Sequence, residues 1–266
     1  MPEGDTIFRI SQNLGRYMLQ KSVTKVQLRS VPYAAELLLG KAVVDVTSIG
    51  KNLFIIFEGD FILHAHSKML SSWHLYTPGV AWRRSARNAV AIIEVGDVIA
   101  VAFDVPVLQL SKGVERTLAR FRSQLGSDLI RDELNLDLVA ARFRRFAGDA
   151  LIGEALLDQR IVSGIGNIYR CETLFKAKIS PYRSAISISV EELGVMMETA
   201  RSDLTFNATE NPGVKRVFDS ELEGTFVYGR GGLPCRICRT SIVRRVMGAP
   251  SEMVPRPVFY CPLCQV

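Results

Sequence analysis

The sequence predicts a multidomain α and β protein: an N-terminal β-sandwich with a flanking helix, then a helical domain, then a small C-terminal β-hairpin built around cysteines. Three observations carry this. Between residue 23 and about residue 110, short runs of β-branched and aromatic residues alternate with Gly and Asp turns. From residue 128 to about residue 207, apolar residues recur at helical spacing. Near the C-terminus, two CxxC pairs lie between short strand signals. With 266 residues, 48% of them hydrophobic, the chain is long enough to bury more than one core.

Taken in order, Ile7, Ile10, Leu14 and Tyr17 follow Asp5 and Thr6 at helical spacing, so a first helix starts almost at the N-terminus, with either polar residue able to cap it. Strands are expected at 41–47, 52–57, 61–64, 89–94 and 98–103, separated by turns such as Glu58-Gly59-Asp60 and Gly96-Asp97. The pattern changes near residues 122–132. Helices are then expected at 134–146, 152–158, 168–177 and 190–204. Strand signals return on either side of 242–246 and at 257–260. The expected domains are 1–124, 125–218 and 219–266. Trp73 and Trp82 read as packing residues.

The formal charge is +6, and it is uneven: residues 215–266 hold eight basic side chains against four acidic ones, a footprint that suits a polyanion or merely a solvated basic face. The longest uninterrupted apolar run, from Val98 to Phe103, falls far short of the ~20 residues a bilayer span needs, so no membrane partner is expected. The start Met1-Pro2-Glu3-Gly4-Asp5 lacks the basic flank and apolar stretch of a signal peptide. A cytoplasmic protein is expected, and a disulfide framework is disfavoured.

Cys235-x2-Cys238 and Cys261-x2-Cys264 form two knuckles of the kind that supply four thiolates to tetrahedral zinc. Four Cys ligands leave no open coordination position, so one structural Zn2+ is expected rather than a catalytic metal. Redox CxxC sites would need a strand-helix context that is missing here. Cys171 stands alone on a predicted helix and reads as a small buried residue. Gly164-Ile165-Gly166-Asn167 is not a dinucleotide fingerprint, because Tyr169 occupies the third Gly position and the preceding segment is helical. It reads instead as a tight turn that brings Asn167 to a helix N-terminus, either as a plain cap or as a phosphate grip.

Together, Pro2-Glu3-Gly4-Asp5, Leu156-Leu157-Asp158-Gln159 through Gly164-Ile165-Gly166-Asn167-Ile168-Tyr169, Val227-Tyr228-Gly229-Arg230 and Arg256-x4-Cys261-x2-Cys264-Gln265 resemble the formamidopyrimidine-DNA glycosylase and endonuclease VIII family of base-excision repair enzymes from end to end. The resemblance implies a β-sandwich, a helix-two-turn-helix domain and a four-Cys zinc finger. It also implies removal of Met1 and attack of the Pro2 nitrogen on C1′ of a damaged nucleotide in DNA, followed by β,δ-elimination. Such an α-amino group has a pKa of roughly 7.7–8.0 against ~10.4 for Lys, so far more of it is unprotonated at neutral pH.

By the same resemblance Glu3 moves protons, Lys51 contacts the lesion-side phosphate, and Asn167 and Arg256 pinch the DNA backbone, with Arg230 also at the DNA. Met69, in His66-Ser67-Lys68-Met69-Leu70, would fill the gap left by the flipped base. Two departures stand out: Thr6 replaces an acidic residue common in the family, and Arg239 replaces a Gly common after the second Cys. Residues 104–109 lack the Arg-x-Phe loop of the purine-acting branch, which favours the endonuclease VIII branch and oxidised pyrimidines over 8-oxoguanine and formamidopyrimidines. A monomer acting on damaged DNA is expected, with no diffusible cofactor. A catalytically silent binder of damaged DNA is the rival from another class, against which Pro2, Glu3 and Lys51 argue.

Overall fold

A computed structural model describes residues 2–67, 71–211, 215–221, 224–248 and 255–266. The chain forms two compact units, with the boundary between Ser123 and Gln124.

The first unit is a sandwich of two antiparallel four-stranded sheets. One has the order β1 (Val23–Leu28), β6 (Ala89–Val95), β7 (Val98–Phe103), β5 (Ser72–Tyr76). The other has the order β2 (Val43–Ile49), β3 (Asn52–Phe57), β4 (Phe61–His66), β8 (Val107–Lys112). β6 alternates buried and half-buried residues, as a strand with one covered face must. Every residue of β3 is buried. Its inward side chains Leu53, Ile55 and Phe57 join the sandwich core, while outward Phe54 meets Phe121 edge-on at 5.0 Å. Phe121 belongs to α3 (Val114–Gln124), which therefore lies over the outer face of that sheet. Helix α1 (Gly4–Met18) buries Ile7, Leu14 and Met18 in the sandwich core, and a short α2 (Pro32–Ala35) follows β1.

The second unit holds α4 (Leu136–Phe146), α5 (Ile152–Ala155), α6 (Asn167–Lys176) and α7 (Val190–Thr205), with a small parallel bridge of β9 (Ser127–Asp128) and β10 (Val162–Ser163). Caps fix the helix starts. Asn135 accepts from the Leu138 N–H at 2.9 Å, and Ser189 and Glu192 form a reciprocal box on α7. The hairpin of β11 (Val243–Met247) and β12 (Arg256–Tyr260) completes the unit. Met247, Val258, Phe259, Cys235 and Cys261 share one apolar core with Ile152, Leu156, Leu174 and Met196 of the helices. Thus residues 125–218 and 219–266, distinguished in sequence, pack as a single body. Among the described residues no helix is long and apolar enough to cross a membrane.

Candidate active site and metal centre

In the first unit the direction of α1 against β2 sets where Pro2 and Glu3 lie relative to the turn that holds Lys51. Leu19, just past α1, bridges Val43 at the start of β2, and a Cβ on Gly15 would lie 3.8 Å from Cβ of Val46. The helix therefore runs antiparallel to the strand. Its 15 residues span about 22 Å and the seven residues of β2 about 23 Å, so its head points to the turn between β2 and β3. Pro2, half-buried, and Glu3, 0% exposed, lie at that head. Lys51, half-buried, lies in the turn, where Gly50 supplies a φ of +56°. The Glu3 backbone is extended and its carbonyl accepts from Ile7 N–H at 3.1 Å, but its side chain does not cap the helix. Asp5 is buried beside it, accepting from Thr6 Oγ1 at 3.3 Å with Arg9 4.0 Å away. The same turn thus holds two buried carboxylates even with Thr6 in place of an acid.

Sequence reasoning passed over a polar cluster on the next strands. Asn52 Nδ2 donates to the Ile49 carbonyl at 3.2 Å, which orients its amide. Its Oδ1 then accepts from His64 Nε2 at 2.9 Å and from His66 Nδ1 at 3.1 Å. An amide oxygen only accepts, so it fixes the tautomer of both rings. Burial, reinforced by His66, pulls His64 down to about 4, and this ring is neutral at physiological pH. Only part of the signal lay in the sequence: the i, i+2 spacing puts His64 and His66 on one face of β4, whereas the pairing of His66 with Asn52 is set by strand register. Met69 lies outside the described residues.

In the second unit Gly164, at φ +104°, makes the turn into α6. Asn167 is fully buried there, and both ends of its amide are engaged: Nδ2 donates to the Pro257 carbonyl at 2.8 Å, and Oδ1 accepts from Arg170 Nη2. It ties α6 to the strand whose first residue is Arg256, itself half-buried. Arg230 is placed elsewhere: its guanidinium donates to the carbonyls of Phe226 (2.8 Å) and Pro234 (3.0 Å), clamping the approach to the first knuckle. Glu172, also fully buried, accepts the N–H groups of Phe226, Val227 and Tyr228 at 2.6, 3.0 and 2.8 Å.

The four sulfurs of Cys235, Cys238, Cys261 and Cys264 lie within 4.8 Å of one another, with Cys235–Cys264 at 3.9 Å and Cys238–Cys261 at 3.4 Å. Metal–sulfur bonds of about 2.3 Å in a tetrahedron place sulfurs roughly 3.8 Å apart, so the quartet fits a metal ion. The quartet holds its protons unevenly: hydrogen bonds from Thr240 draw the Cys238 thiol down to about 6, whereas burial pushes those of Cys261 and Cys264 up. Gln265 braces the site from outside: its Oε1 accepts from Cys261 N–H at 2.8 Å and its Nε2 donates to the Ile179 carbonyl at 3.0 Å.

Residues 125–214 match the family described as the formamidopyrimidine-DNA glycosylase H2TH domain. Over 266 residues the chain is 32% identical to the probable endonuclease 8 2 of Streptomyces coelicolor, covering 100% of this chain and 94% of that protein. The chain belongs to the formamidopyrimidine-DNA glycosylase and endonuclease VIII family. It is also 31% identical to the DNA-(apurinic or apyrimidinic site) lyase Nei2 of Mycolicibacterium smegmatis, covering 100% of this chain and 99% of that one. A solved complex of the Lactococcus lactis Fpg with DNA containing an abasic site has the same fold, with a TM-score of 0.82 at 18% identity over 99% of both chains.

Within the first knuckle, Arg239 takes a conformation that suits glycine. It sits at φ +67°, the left-handed conformation that Gly adopts freely, while its N–H closes the knuckle on the Cys235 carbonyl at 3.1 Å. Cys171 is buried in the core of the second unit, and burial pushes its thiol up to about 11, so it serves packing.

Proposed function

We propose that this chain is a base-excision repair DNA glycosylase with apurinic/apyrimidinic lyase activity, of the endonuclease VIII type, acting as a monomer on damaged DNA in the cytoplasm at the nucleoid. The reading is supported above all by family membership joined to one geometric feature: Pro2 and buried Glu3 head a helix aimed at the turn that holds Lys51. With Met1 removed, the secondary amine of Pro2 attacks C1′ and the base departs with a proton. As the C1′–O4′ bond opens, the Pro2 nitrogen becomes an iminium that draws electrons from the sugar; C2′ loses a proton as the 3′ phosphate leaves, C4′ loses a second as the 5′ phosphate leaves, and water hydrolyses the imine to free Pro2. Glu3 protonates the ring oxygen and shuttles protons during elimination. Lys51 meets the lesion-side phosphate.

Arg256 is the charged member of the backbone grip, with Asn167 bound to the adjacent Pro257, while Arg230 adds positive charge beside the finger. Met69 is assigned the wedge that fills the vacated stack. The four Cys hold one structural Zn2+, and oxidised pyrimidines are the favoured substrates. The relatives of full length at 31–32% identity, named for endonuclease 8 and apurinic/apyrimidinic lyase activities, support that branch.

Borohydride reduction during reaction with a thymine-glycol duplex tests the proposal. A covalent protein–DNA adduct should form and map by mass spectrometry to Pro2, and an uncleaved tag ahead of Pro2 should abolish both adduct and strand cleavage. An adduct on Lys51, or full activity with Met1 retained, would sink the mechanism. An 8-oxoguanine duplex run in parallel decides the branch.

A further inference from the structure

The guanidinium of Arg170 takes no part in the proposed chemistry. It is the largest fully buried side chain in the described structure. Nη1 donates to the Gly153 carbonyl at 3.2 Å, and Nη2 donates to the Pro257 carbonyl at 3.1 Å and to Asn167 Oδ1. Gly153 belongs to α5, Asn167 opens α6, and Pro257 follows Arg256 in β12. Three segments distant in sequence therefore converge on one planar fork. None of these three acceptors is a carboxylate, and Nε finds no partner among the described residues. A buried cation held only by neutral oxygens contributes little net stability, and an apolar residue of similar size would serve the core as well. What the rigid fork supplies, and a flexible ammonium could not, is fixed geometry.

That geometry bears on one place. The Pro257 carbonyl accepts from both Asn167 and Arg170, so the backbone of β12 is pinned at the residue after Arg256. Across the hairpin Arg256 pairs with Met247, and a Cβ on Gly153 would fall 2.7 Å from Met247 Sδ, so this end of the hairpin rests on α5 without spare room. We infer that Arg170 is a positioning residue for DNA binding: with Asn167 it locks the start of β12 onto the α5–α6 turn and so sets the direction in which Arg256 is presented to a DNA phosphate. The inference rests on the proposed phosphate grip of Arg256.

The test uses full-length, zinc-loaded protein and a duplex carrying a tetrahydrofuran abasic analogue, with binding measured across a salt series. Arg256→Ala should weaken binding about tenfold and lower the salt slope by about one phosphate contact. Arg170→Lys should weaken binding to a similar extent and lower the slope likewise, with the single-turnover borohydride-trapping rate on a thymine-glycol duplex at saturating protein unchanged. Added to Arg256→Ala, it should cost less than about a further twofold, because both act on one contact. Losses that multiply, or an unchanged slope in Arg170→Lys beside a lowered one in Arg256→Ala, overturn the inference and leave the phosphate grip standing. An unchanged slope in Arg256→Ala overturns the grip itself and the inference with it. If Arg170→Lys loses zinc or its melting transition, Arg170→Met takes its place, and collapse of both assigns Arg170 to folding and overturns the positioning role.

Discussion

Helices α1 and α6 both open on buried polar side chains, yet the Glu3 carboxylate of α1 leaves its own helix uncapped, whereas Asn167 and Arg170 of α6 are committed to backbone carbonyls and to each other. A side chain committed to the backbone can hold a surface in place but is poorly suited to exchanging protons. A carboxylate is a proton carrier by its chemistry, and the proposed role of Glu3 uses it as one. On the proposed function the reacting groups belong to the first unit, while the second commits its buried polarity to fixing the hairpin and the Cys quartet.

Paired substitutions test that division most directly. Glu3→Gln should leave binding of damaged duplex within about twofold while lowering base removal on the order of 10²–10⁴, the usual worth of a general acid–base group. Asn167→Ala should do the reverse, weakening binding to every duplex alike and leaving the saturated single-turnover rate near wild type. Equal losses of binding and chemistry in both variants would erase the distinction between the two helix heads.

How much of this was legible in the sequence depended on how strongly burial constrains each element. Interior strands β3, β4, β6 and β7 announce themselves through dense apolar runs such as Leu53-Phe54-Ile55-Ile56-Phe57. Strands β1, β5 and β8 are sheet edges diluted by Lys25 and Gln27, His74, and Gln109 and Ser111, so their individual boundaries did not emerge, whereas the fourth edge, β2, was legible through its valines Val43, Val44 and Val46. Helix α3 escaped because it lays little more than Phe121 and Thr117 on the sheet and exposes much of the rest. The Cys quartet was fully legible, since ligand spacing is a local property. The Asn52–His64–His66 cluster and the Arg170 fork were not, because each depends on register or tertiary convergence that no local window contains.

A smaller effect separates the units by pH. His64 is held near 4, against an ordinary value of 6.5, so between these values the unfolded chain binds a proton that the folded first unit excludes. Stability should therefore be level above about pH 6.5, fall as pH drops toward 4, and lose nothing further from this group below that. The full effect is at most ~3 kcal/mol, with ~2 kcal/mol lost by pH 5. Both tryptophans, Trp73 and Trp82, lie in the first unit, so fluorescence-monitored urea unfolding at pH 7.5 and 5 isolates it. His64→Gln should flatten the difference between the two pH values. Parallel pH curves for the variant and the wild type would show that His64 is not the group responsible.

The smallest effect belongs to the second unit and arises at the left-handed residue of the first knuckle. Arg239 is exposed and adopts a left-handed backbone at φ +67°, a conformation that costs a residue with a Cβ roughly 1–2 kcal/mol. Glycine removes that strain but loses more chain entropy on folding, so Arg239→Gly should stabilise the second unit by only about 0.5–1 kcal/mol. Calorimetry should show the transition that carries no tryptophan signal moving upward while the fluorescence transition stays put. The same substitution removes a cation from the basic C-terminal segment. If Arg239 lies within reach of a phosphate, affinity for DNA and its salt slope should both decline slightly as stability rises. A stabilised variant with weakened binding would mean that backbone strain here is tolerated for the sake of the DNA interface. A variant that gains no stability would show that the knuckle accommodates Arg239 without strain, and the contrast drawn here between a rigidly fixed second unit and a reactive first one would lose this support.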